Sequence, residues 1–207
     1  MKIGIIDYGM GNIHSVINCF SNLKREVQVV KEKNKLEDFT SFILPGVGAY
    51  PMAMKNLLAA DLVDEIKKQI LIKKKPILGI CLGMQLFLEK AHENEECEGF
   101  SFIKGEVDQI EIKKNYPVPI VGWHKIKFNK KNNLFKNIDN NSFFYFDHSY
   151  HCIMNSKSYK IAKISYSSEI CASFQKKNIY GVQFHPEKSQ INGLKLIRNF
   201  INLSLKY

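Results

Sequence analysis

The sequence predicts an α/β fold in which a mostly parallel sheet is covered by helices on both faces. Apolar runs of strand length alternate with helical patterns over roughly the first 95 residues, and glycine-rich turns stand where the strand patterns end. Parallel strands need long crossover connections, which the helical segments supply. The chain has 207 residues, of which 45% are hydrophobic and 24% charged, as in ordinary globular proteins. We therefore expect one domain spanning residues 1–207.

The first unit has the pattern of a strand, a glycine turn and a helix. The strand pattern Ile3 to Ile6 is followed by the turn Asp7 to Asn12 and by helical spacing of Val16, Ile17, Phe20 and Leu23. The same alternation continues through two strands, a helix, a second helix and a further strand. These are Val27 to Val30, Phe42 to Leu44, Met52 to Leu58, a helix ending near Lys73, and Pro76 to Ile80, after which Met84 begins another helix.

From Phe102 onward the pattern changes to short alternating segments separated by Asn- and Lys-rich turns. We expect these segments to be strands that extend the same sheet. A final helical pattern should dock its apolar face on the sheet. The segments are Glu106 to Ile112, Ile120 to Phe128, Ile161 to Tyr166, Ile179 to Phe184 and the helix Gly193 to Leu205.

Composition excludes several classes of protein. No apolar run approaches the ~20 residues that cross a bilayer, and we expect a cytoplasmic protein that binds no membrane. Five cysteines without a C-x-x-C pair argue against a disulfide framework and against a zinc ribbon. The net charge of +10 is compatible with an anionic partner, but the lysines lack the aromatic interleaving of a single-strand binder, so we expect no nucleic acid ligand.

The strongest local signal is Gly79-Ile80-Cys81-Leu82-Gly83, placed where a strand ends and a helix begins. This is the layout of a nucleophile elbow with Cys in place of Ser. The glycines leave room for a sharp, strained turn, and the start of a helix favours the thiolate and directs the Leu82 amide at an oxyanion. Alone, so short a pattern is also compatible with one more buried thiol.

A second signal, Gln183-Phe184-His185-Pro186-Glu187, places a base and an acid two residues apart after an apolar strand. The imidazole of His185 can take the thiol proton and return it to a leaving amine, while Glu187 holds the ring in the required tautomer. A third signal is Pro45-Gly46-Val47-Gly48, a loop whose free amides are candidates for the second oxyanion donor. Either the Val47 or the Gly48 amide fits this role, and each signal alone is also compatible with ordinary structure.

Together these motifs resemble the class I, triad-type glutamine amidotransferases. More narrowly, the chain resembles the glutaminase subunits of imidazole glycerol phosphate synthase, the HisH family of histidine biosynthesis. The resemblance covers nearly the whole chain. It rests on Asp7 to Asn12, Pro45 to Tyr50, Gly79 to Gln85, Gly122-Trp123, His148 to Tyr150 and Gln183 to Ser189.

The resemblance implies a flavodoxin-like α/β glutaminase fold and a heterodimer with a (β/α)₈-barrel cyclase. It implies that Cys81 forms a γ-glutamyl thioester with glutamine, that His185 and Glu187 complete the triad, and that ammonia crosses the interface to the cyclase. It implies no cofactor and no metal. Substrate-binding positions match Gln85, Ser149 and Tyr150, beside the oxyanion loop, and positions of the docking face and ammonia gate match Asn12, Trp123, Tyr145 and Lys188.

Two positions depart from the family pattern. The family usually has Gly-Trp-Asn and Phe-Val-His-Ser-Tyr, whereas this chain has His124 after Trp123 and Asp147 before His148. Both positions lie near the partner-facing side, so the identity of the partner stays open. The alternatives are a paralogous glutaminase that supplies a sugar-amidinating synthase and, more remotely, a γ-glutamyl peptide hydrolase.

Overall fold

The computed structural model describes residues 2–129, 132–154 and 159–207. Its strands in chain order are β1 Ile3–Ile6, β2 Gln28–Val30, β3 Ser41–Gly46, β4 Ile77–Cys81, β5 Lys90–Glu93, β6 Glu95–Glu98, β7 Glu106–Gln109, β8 Ile120–Lys125, β9 Lys127–Phe128, β10 Phe143–His148, β11 Tyr150–Ile153, β12 Lys160–Ser165, β13 Glu169–Lys176 and β14 Ile179–Val182. The helices are α1 Ile13–Asn22, α2 Tyr50–Ala59, α3 Val63–Lys67, α4 Leu82–Gln85 and α5 Gln190–Ser204.

The main sheet has eight strands in the order β2-β1-β3-β4-β14-β13-β12-β9. The first five run parallel, and the pairs from β14 to β9 are antiparallel. This arrangement confirms the predicted mixed sheet with a parallel half. It also brings β14, from near the C-terminus, directly beside β4, which carries Cys81 at its end.

Helices cover both faces of this sheet, as predicted. One core cluster joins α2 and α3 to the sheet through Ala53, Leu57 and Ile66. A second cluster on the other face joins α1 and α5 through residues such as Phe20 and Phe200. The final helix begins at Gln190, three residues before its predicted start, and buries the face that includes Ile197 and Ile201.

The expectation that 106–112 and 120–128 extend the main sheet is wrong for most of these residues. Strand β7 pairs with β11 and β5 in a separate four-stranded sheet, and β8 pairs with β10 in a two-stranded ribbon. Only β9 joins the main sheet, at its edge. Alternating hydrophobicity predicts a strand but does not say which strand is its partner, because pairing depends on residues far along the chain.

The helix expected after Cys81 is also shorter than the pattern suggests. Helix α4 is a single turn, Leu82–Gln85. The following apolar residues Leu86 to Leu88 are fully buried outside the helix, and the chain then enters β5. The helix that ends near Lys73 closes with a π-helical turn at Lys68–Ile72. No helix within the three described ranges has the length and apolar character that crossing a membrane requires.

Candidate active site

Cys81 occupies a strained turn at the end of β4. Its φ of 54° and ψ of −112° lie in a region that non-glycine residues rarely adopt. The turn is sterically tight on both sides: a Cβ at Gly79 would lie 2.5 Å from the Gly83 carbonyl oxygen, and one at Gly83 would lie 1.8 Å from the Leu44 oxygen. The spacing of the two glycines is therefore a requirement of this backbone, as the sequence predicts.

The Cys81 side chain opens into a cavity of about 240 Å³. Nine of the predicted site residues line this cavity, although they come from four separate parts of the chain. They are Val47, Gly48, Cys81, Leu82, Gln85, Ser149, Tyr150, His185 and Lys188. Glu187 stands behind His185, outside the lining.

His185 and Glu187 form a buried pair beside the sulfur. The Nδ1–H of His185 donates to Glu187 Oε1 at 2.8 Å, and both side chains are only 4% exposed. This bond leaves Nε2 of the imidazole for its hydrogen bond with the Cys81 sulfur. Burial would lower the pKa of His185, but the bonds to Cys81 and Glu187 outweigh it and raise that pKa above its usual range. The arrangement therefore favours the charged imidazolium form of His185 over the neutral ring.

The backbone around His185 is held in place by several hydrogen bonds. The His185 amide donates to the Tyr145 carbonyl at 2.8 Å, and the Ser189 hydroxyl donates to the His185 carbonyl at 2.6 Å. Pro186 follows immediately and begins a 3₁₀ turn that brings Glu187 back toward the imidazole. The two-residue spacing seen in the sequence therefore corresponds to one tight turn.

Both candidate oxyanion donors line the cavity that holds the Cys81 sulfur. Leu82 begins α4, where the first backbone amides of a helix have no acceptor within the helix. Val47 and Gly48 form an exposed loop that follows β3, and Gly48 has a φ of +102°. A loop with this backbone can rotate its amides toward or away from the sulfur at little steric cost.

The far end of the cavity carries polar groups suited to an amino acid. Gln85 donates its amide hydrogens to the Tyr150 carbonyl and to Gln183 Oε1, each at 3.0 Å. Glu93 also lines the cavity, and its Oε2 accepts a hydrogen bond of 2.7 Å from the Tyr50 amide. This held carboxylate faces a space where an α-ammonium group would be well paired.

Comparison with known proteins agrees with this geometry. The family model for glutamine amidotransferase class-I matches residues 4–203. The chain belongs to this family. Curated relatives include imidazole glycerol phosphate synthase subunit HisH 1 of Campylobacter jejuni (strain RM1221), 44% identical over 201 residues that cover 97% of this chain and 100% of the relative. Subunit HisH of Pelagibacter ubique (strain HTCC1062) is 40% identical over 208 residues, covering 98% and 100%.

Solved structures support the class-I glutamine amidotransferase fold. A crystal structure described as a glutamine amidotransferase superposes with a TM-score of 0.77 at 15% identity and covers 98% of each chain. A putative subunit of GMP synthase from Thermoplasma acidophilum gives a TM-score of 0.74 at 21% identity, covering 100% of this chain and 95% of that one. At these identities the likeness concerns the fold alone.

Three of the four predicted gate residues of this class-I glutamine amidotransferase form one group around Tyr145, and one of them, Lys188, also lines the cavity. The Trp123 and Tyr145 rings are in edge-to-face contact at 6.0 Å, and Lys188 Nζ lies 5.3 Å from the centre of the Tyr145 ring. Asn12 is elsewhere. It is the N-cap of α1, and its Oδ1 accepts a hydrogen bond from the Ser15 amide at 3.2 Å.

The two departures from the family pattern lie on opposite faces of the β8-β10 ribbon. His124 faces inward, in edge-to-face contact with Phe146 and Tyr166, and burial lowers its pKa. Asp147 is exposed at the rim of the cavity, while its carbonyl oxygen lies 3.9 Å from the Cys81 sulfur. His124 therefore packs on the inner face of the ribbon. Of the two departures from the family pattern, only Asp147 alters the outer face.

Three residues that shape the site of this class-I glutamine amidotransferase were not predicted from the sequence: Glu93, His148 and Gln183. Glu93 follows no recognisable motif, and only the pairing of β5 with β6 and β7 brings it to the cavity. His148 and Gln183 stood inside the motifs that carried the resemblance, but nothing in their spacing indicated a role. His148 Nδ1 donates to the Tyr150 carbonyl at 2.8 Å, and burial lowers the pKa of this histidine to about 4.

The buried, neutral state of His148 predicts a specific acid sensitivity. The unfolded chain protonates this histidine near pH 6.5, whereas the folded chain does so only near pH 4. The stability it contributes is therefore present above pH 6.5 and is lost as the pH falls toward 4. Between neutral pH and pH 4, the unfolding free energy of the wild-type chain should therefore fall by about 3 kcal/mol more than that of His148→Gln.

Urea unfolding at a series of pH values gives the unfolding free energy of each variant at each pH. The comparison is between the changes with pH and not between the absolute stabilities. The matched control is His14→Gln, at an exposed position of α1, which should keep the wild-type pH dependence. Parallel wild-type and His148→Gln curves would contradict the prediction.

Proposed function

We propose that this chain is the glutaminase subunit of an imidazole glycerol phosphate synthase in histidine biosynthesis. It hydrolyses glutamine to glutamate and passes the ammonia to a partner protein. The observation that carries the proposal is the cavity in which Cys81, His185 and the polar groups of Gln85 and Tyr150 converge. The printed names of relatives up to 44% identical over almost the full chain support the choice of pathway.

In the proposed mechanism the Cys81 thiolate attacks the carboxamide carbon of glutamine, and the charge that develops on oxygen is stabilised by the Leu82 amide and by a loop amide of Val47 or Gly48. The imidazolium of His185 donates its proton to the departing nitrogen, which leaves as ammonia, and a γ-glutamyl thioester remains. His185 then takes a proton from water, which attacks the thioester and releases glutamate. Glu187 keeps the ring oriented through both steps.

The substrate's α-groups occupy the far end of the cavity in this proposal. Glu93 pairs with the α-ammonium. Ser149, between β10 and β11, and Tyr150, the first residue of β11, contact the α-carboxylate. Gln85 uses both amide hydrogens internally, so its Oε1 is the atom it offers to the substrate. This arrangement selects a free amino acid whose side chain extends from the α-groups to a carboxamide at the Cys81 sulfur, as that of glutamine does.

The outer face of the β8-β10 ribbon is the proposed docking face for the partner, a (β/α)₈-barrel cyclase. Cross-strand pairing places Trp123 opposite Tyr145 and Lys125 opposite Phe143. Trp123 is 41% and Phe143 45% exposed, as expected for a patch that another surface covers. Lys188 and Asp147 connect this face to the cavity, so ammonia released at the sulfur leaves toward the partner.

Asp147 adds a chemical requirement to this interface. Its carboxylate is exposed on a face otherwise formed by Val121, aromatic rings and lysines. Burial of this carboxylate against a partner costs free energy unless the partner supplies a cation. The proposed partner therefore carries an Arg or Lys at the facing position of its rim.

We expect the isolated chain to turn over glutamine slowly and the partner, loaded with its acceptor, to accelerate it at least about 100-fold. The exposed Val47 and Gly48 loop would present its amide to the oxyanion only in the assembled state. Glutamate release by the chain alone, with the cyclase, and with the cyclase plus acceptor measures this gating. Full activity of the chain alone contradicts the gating.

The same mixture tests the proposed function. Formation of a one-to-one complex and glutamine-dependent product formation by the cyclase support it. Failure to bind the histidine-pathway cyclase, with binding and activation by a sugar-amidinating synthase, assigns the chain to that other pathway. Cleavage of γ-glutamyl peptides in preference to glutamine overturns the glutaminase assignment.

A further inference from the structure

A continuous line of hydrogen bonds runs from the substrate end of the cavity to the Cys81 sulfur through two buried amides. The Tyr150 carbonyl accepts from Gln85 Nε2 at 3.0 Å, Gln85 Nε2 also donates to Gln183 Oε1 at 3.0 Å, and Gln183 Nε2 donates to Cys81 Sγ at 3.7 Å. Gln183 is fully buried and Gln85 only 5% exposed. The mechanism above gives Gln183 no role.

The parallel pairing of β14 with β4 explains why Gln183 stands beside the nucleophile. Val182 is in register with Ile80, and the next residues on the two strands are Gln183 and Cys81. The Gln183 backbone is held in turn by a hydrogen bond of 2.9 Å from its amide to the Ala172 carbonyl. Two adjacent strands therefore set the distance between the amide and the sulfur.

The direction of every bond in this line is determined by its first member. A carbonyl can only accept, so the Tyr150 oxygen requires the NH₂ group of Gln85. That NH₂ group donates its second hydrogen to Gln183. Gln183 must therefore present its oxygen to Gln85 and its own NH₂ group to the sulfur. If the Gln183 amide were flipped, its NH₂ group would face the NH₂ group of Gln85, and its oxygen would face the Cys81 sulfur.

The two protonation states of Cys81 use different partners. A thiol can donate its proton to the Asp147 carbonyl, 3.9 Å away, whereas a thiolate can only accept. The Gln183 amide and His185 are the donors that the described residues offer to the sulfur. Of these, His185 gives up its proton during the reaction, and Gln183 does not.

We propose that Gln183 is a positioning residue that holds and stabilises the Cys81 thiolate, with its amide oriented by Gln85 and the Tyr150 carbonyl. This rests on the proposed role of Cys81 as the nucleophile. Because Gln85 and Tyr150 also line the substrate cavity, the same line of bonds connects substrate binding to the charge state of the sulfur.

The test is the pH dependence of Cys81 alkylation by iodoacetamide in the intact chain, between about pH 5 and pH 9, followed by peptide mass spectrometry so that other thiols are excluded. In Gln183→Met, which keeps the size but removes the donor, we expect half-maximal alkylation to move up by about one pH unit and the rate near pH 6 to fall about tenfold. Gln85→Met, which frees the Gln183 amide to rotate, should shift the profile in the same direction by less.

The matched control is Gln69→Met. Gln69 is equally buried but lies in the π-helical turn after α3 and donates to Glu65. It should leave the alkylation profile unchanged. A wild-type profile in a Gln183→Met chain with native circular dichroism overturns the proposal. Should Gln183→Met not fold, a wild-type profile in Gln85→Met overturns it instead.

This readout is independent of glutamine turnover and of any partner. An unshifted profile would leave the glutaminase assignment standing, whereas glutamine-supported activity without Cys81 would remove the assignment itself.

Discussion

Replacing Cys81 by alanine is expected to abolish glutamine-dependent synthesis by the assembled complex, with a loss on the order of 10⁴-fold or more. The thioester cannot form without the sulfur, and no other thiol lines the described cavity. Added ammonium salts should still support synthesis, because ammonia then reaches the partner without the glutaminase. Product formation with each nitrogen source, measured on the same preparation, checks both expectations.

The matched control for this substitution is Cys97→Ser. Cys97 is a free, partly exposed thiol on β6, outside the cavity lining, and its replacement should leave both activities at the wild-type level. Retention of glutamine-supported synthesis by Cys81→Ala would show that the nucleophile is another residue. Loss of ammonium-supported synthesis would show instead that the substitution damages the complex.

Replacing Glu187 by glutamine is expected to lower kcat for glutamine hydrolysis by roughly 10³- to 10⁴-fold, with little change in KM. Glu187 Oε1 accepts from His185 Nδ1 at 2.8 Å, and this bond presents Nε2 of the imidazole to the sulfur. A neutral amide neither stabilises the imidazolium nor enforces that tautomer. Substrate contacts are unaffected because Glu187 is not part of the cavity lining.

Steady-state kinetics of the complex measure this split between kcat and KM. Glu111→Gln is the control, since Glu111 is an exposed carboxylate paired with Lys113 at the surface. A Glu187→Gln enzyme with kcat within about threefold of wild type would mean that Glu187 does not orient the base. An equal loss of activity in Glu111→Gln would indicate a general effect of removing one negative charge.

Much of the fold was predictable because its signals are local. The strands Ile3–Ile6 and Ile77–Cys81 are short apolar runs ended by turns, and α5 has apolar residues at helical spacing. The assignment of β7 and β8 to the main sheet failed. Their alternation is a property of each segment, whereas their partners β11 and β10 lie tens of residues away.

The candidate site divides in the same way. The elbow and the His185-Pro186-Glu187 turn were readable because each is complete within five residues. Glu93 was not readable, since it reaches the cavity only through the small sheet that β5, β6, β7 and β11 form.

The sequence by itself determined the strained turn at Cys81 and the pairing of His185 with Glu187. A Cβ at Gly79 would meet Gly83, four residues further along the same turn, so this part of the restriction is local. The Leu44 carbonyl that restricts position 83 belongs to the neighbouring strand β3 and reinforces the same turn. The tertiary structure alone decided that Gln183 lies beside a sulfur 102 residues away and that Trp123 and Lys188 both contact Tyr145. Such contacts follow from which strands pair, and pairing is decided by the burial of the whole core and not by any one segment.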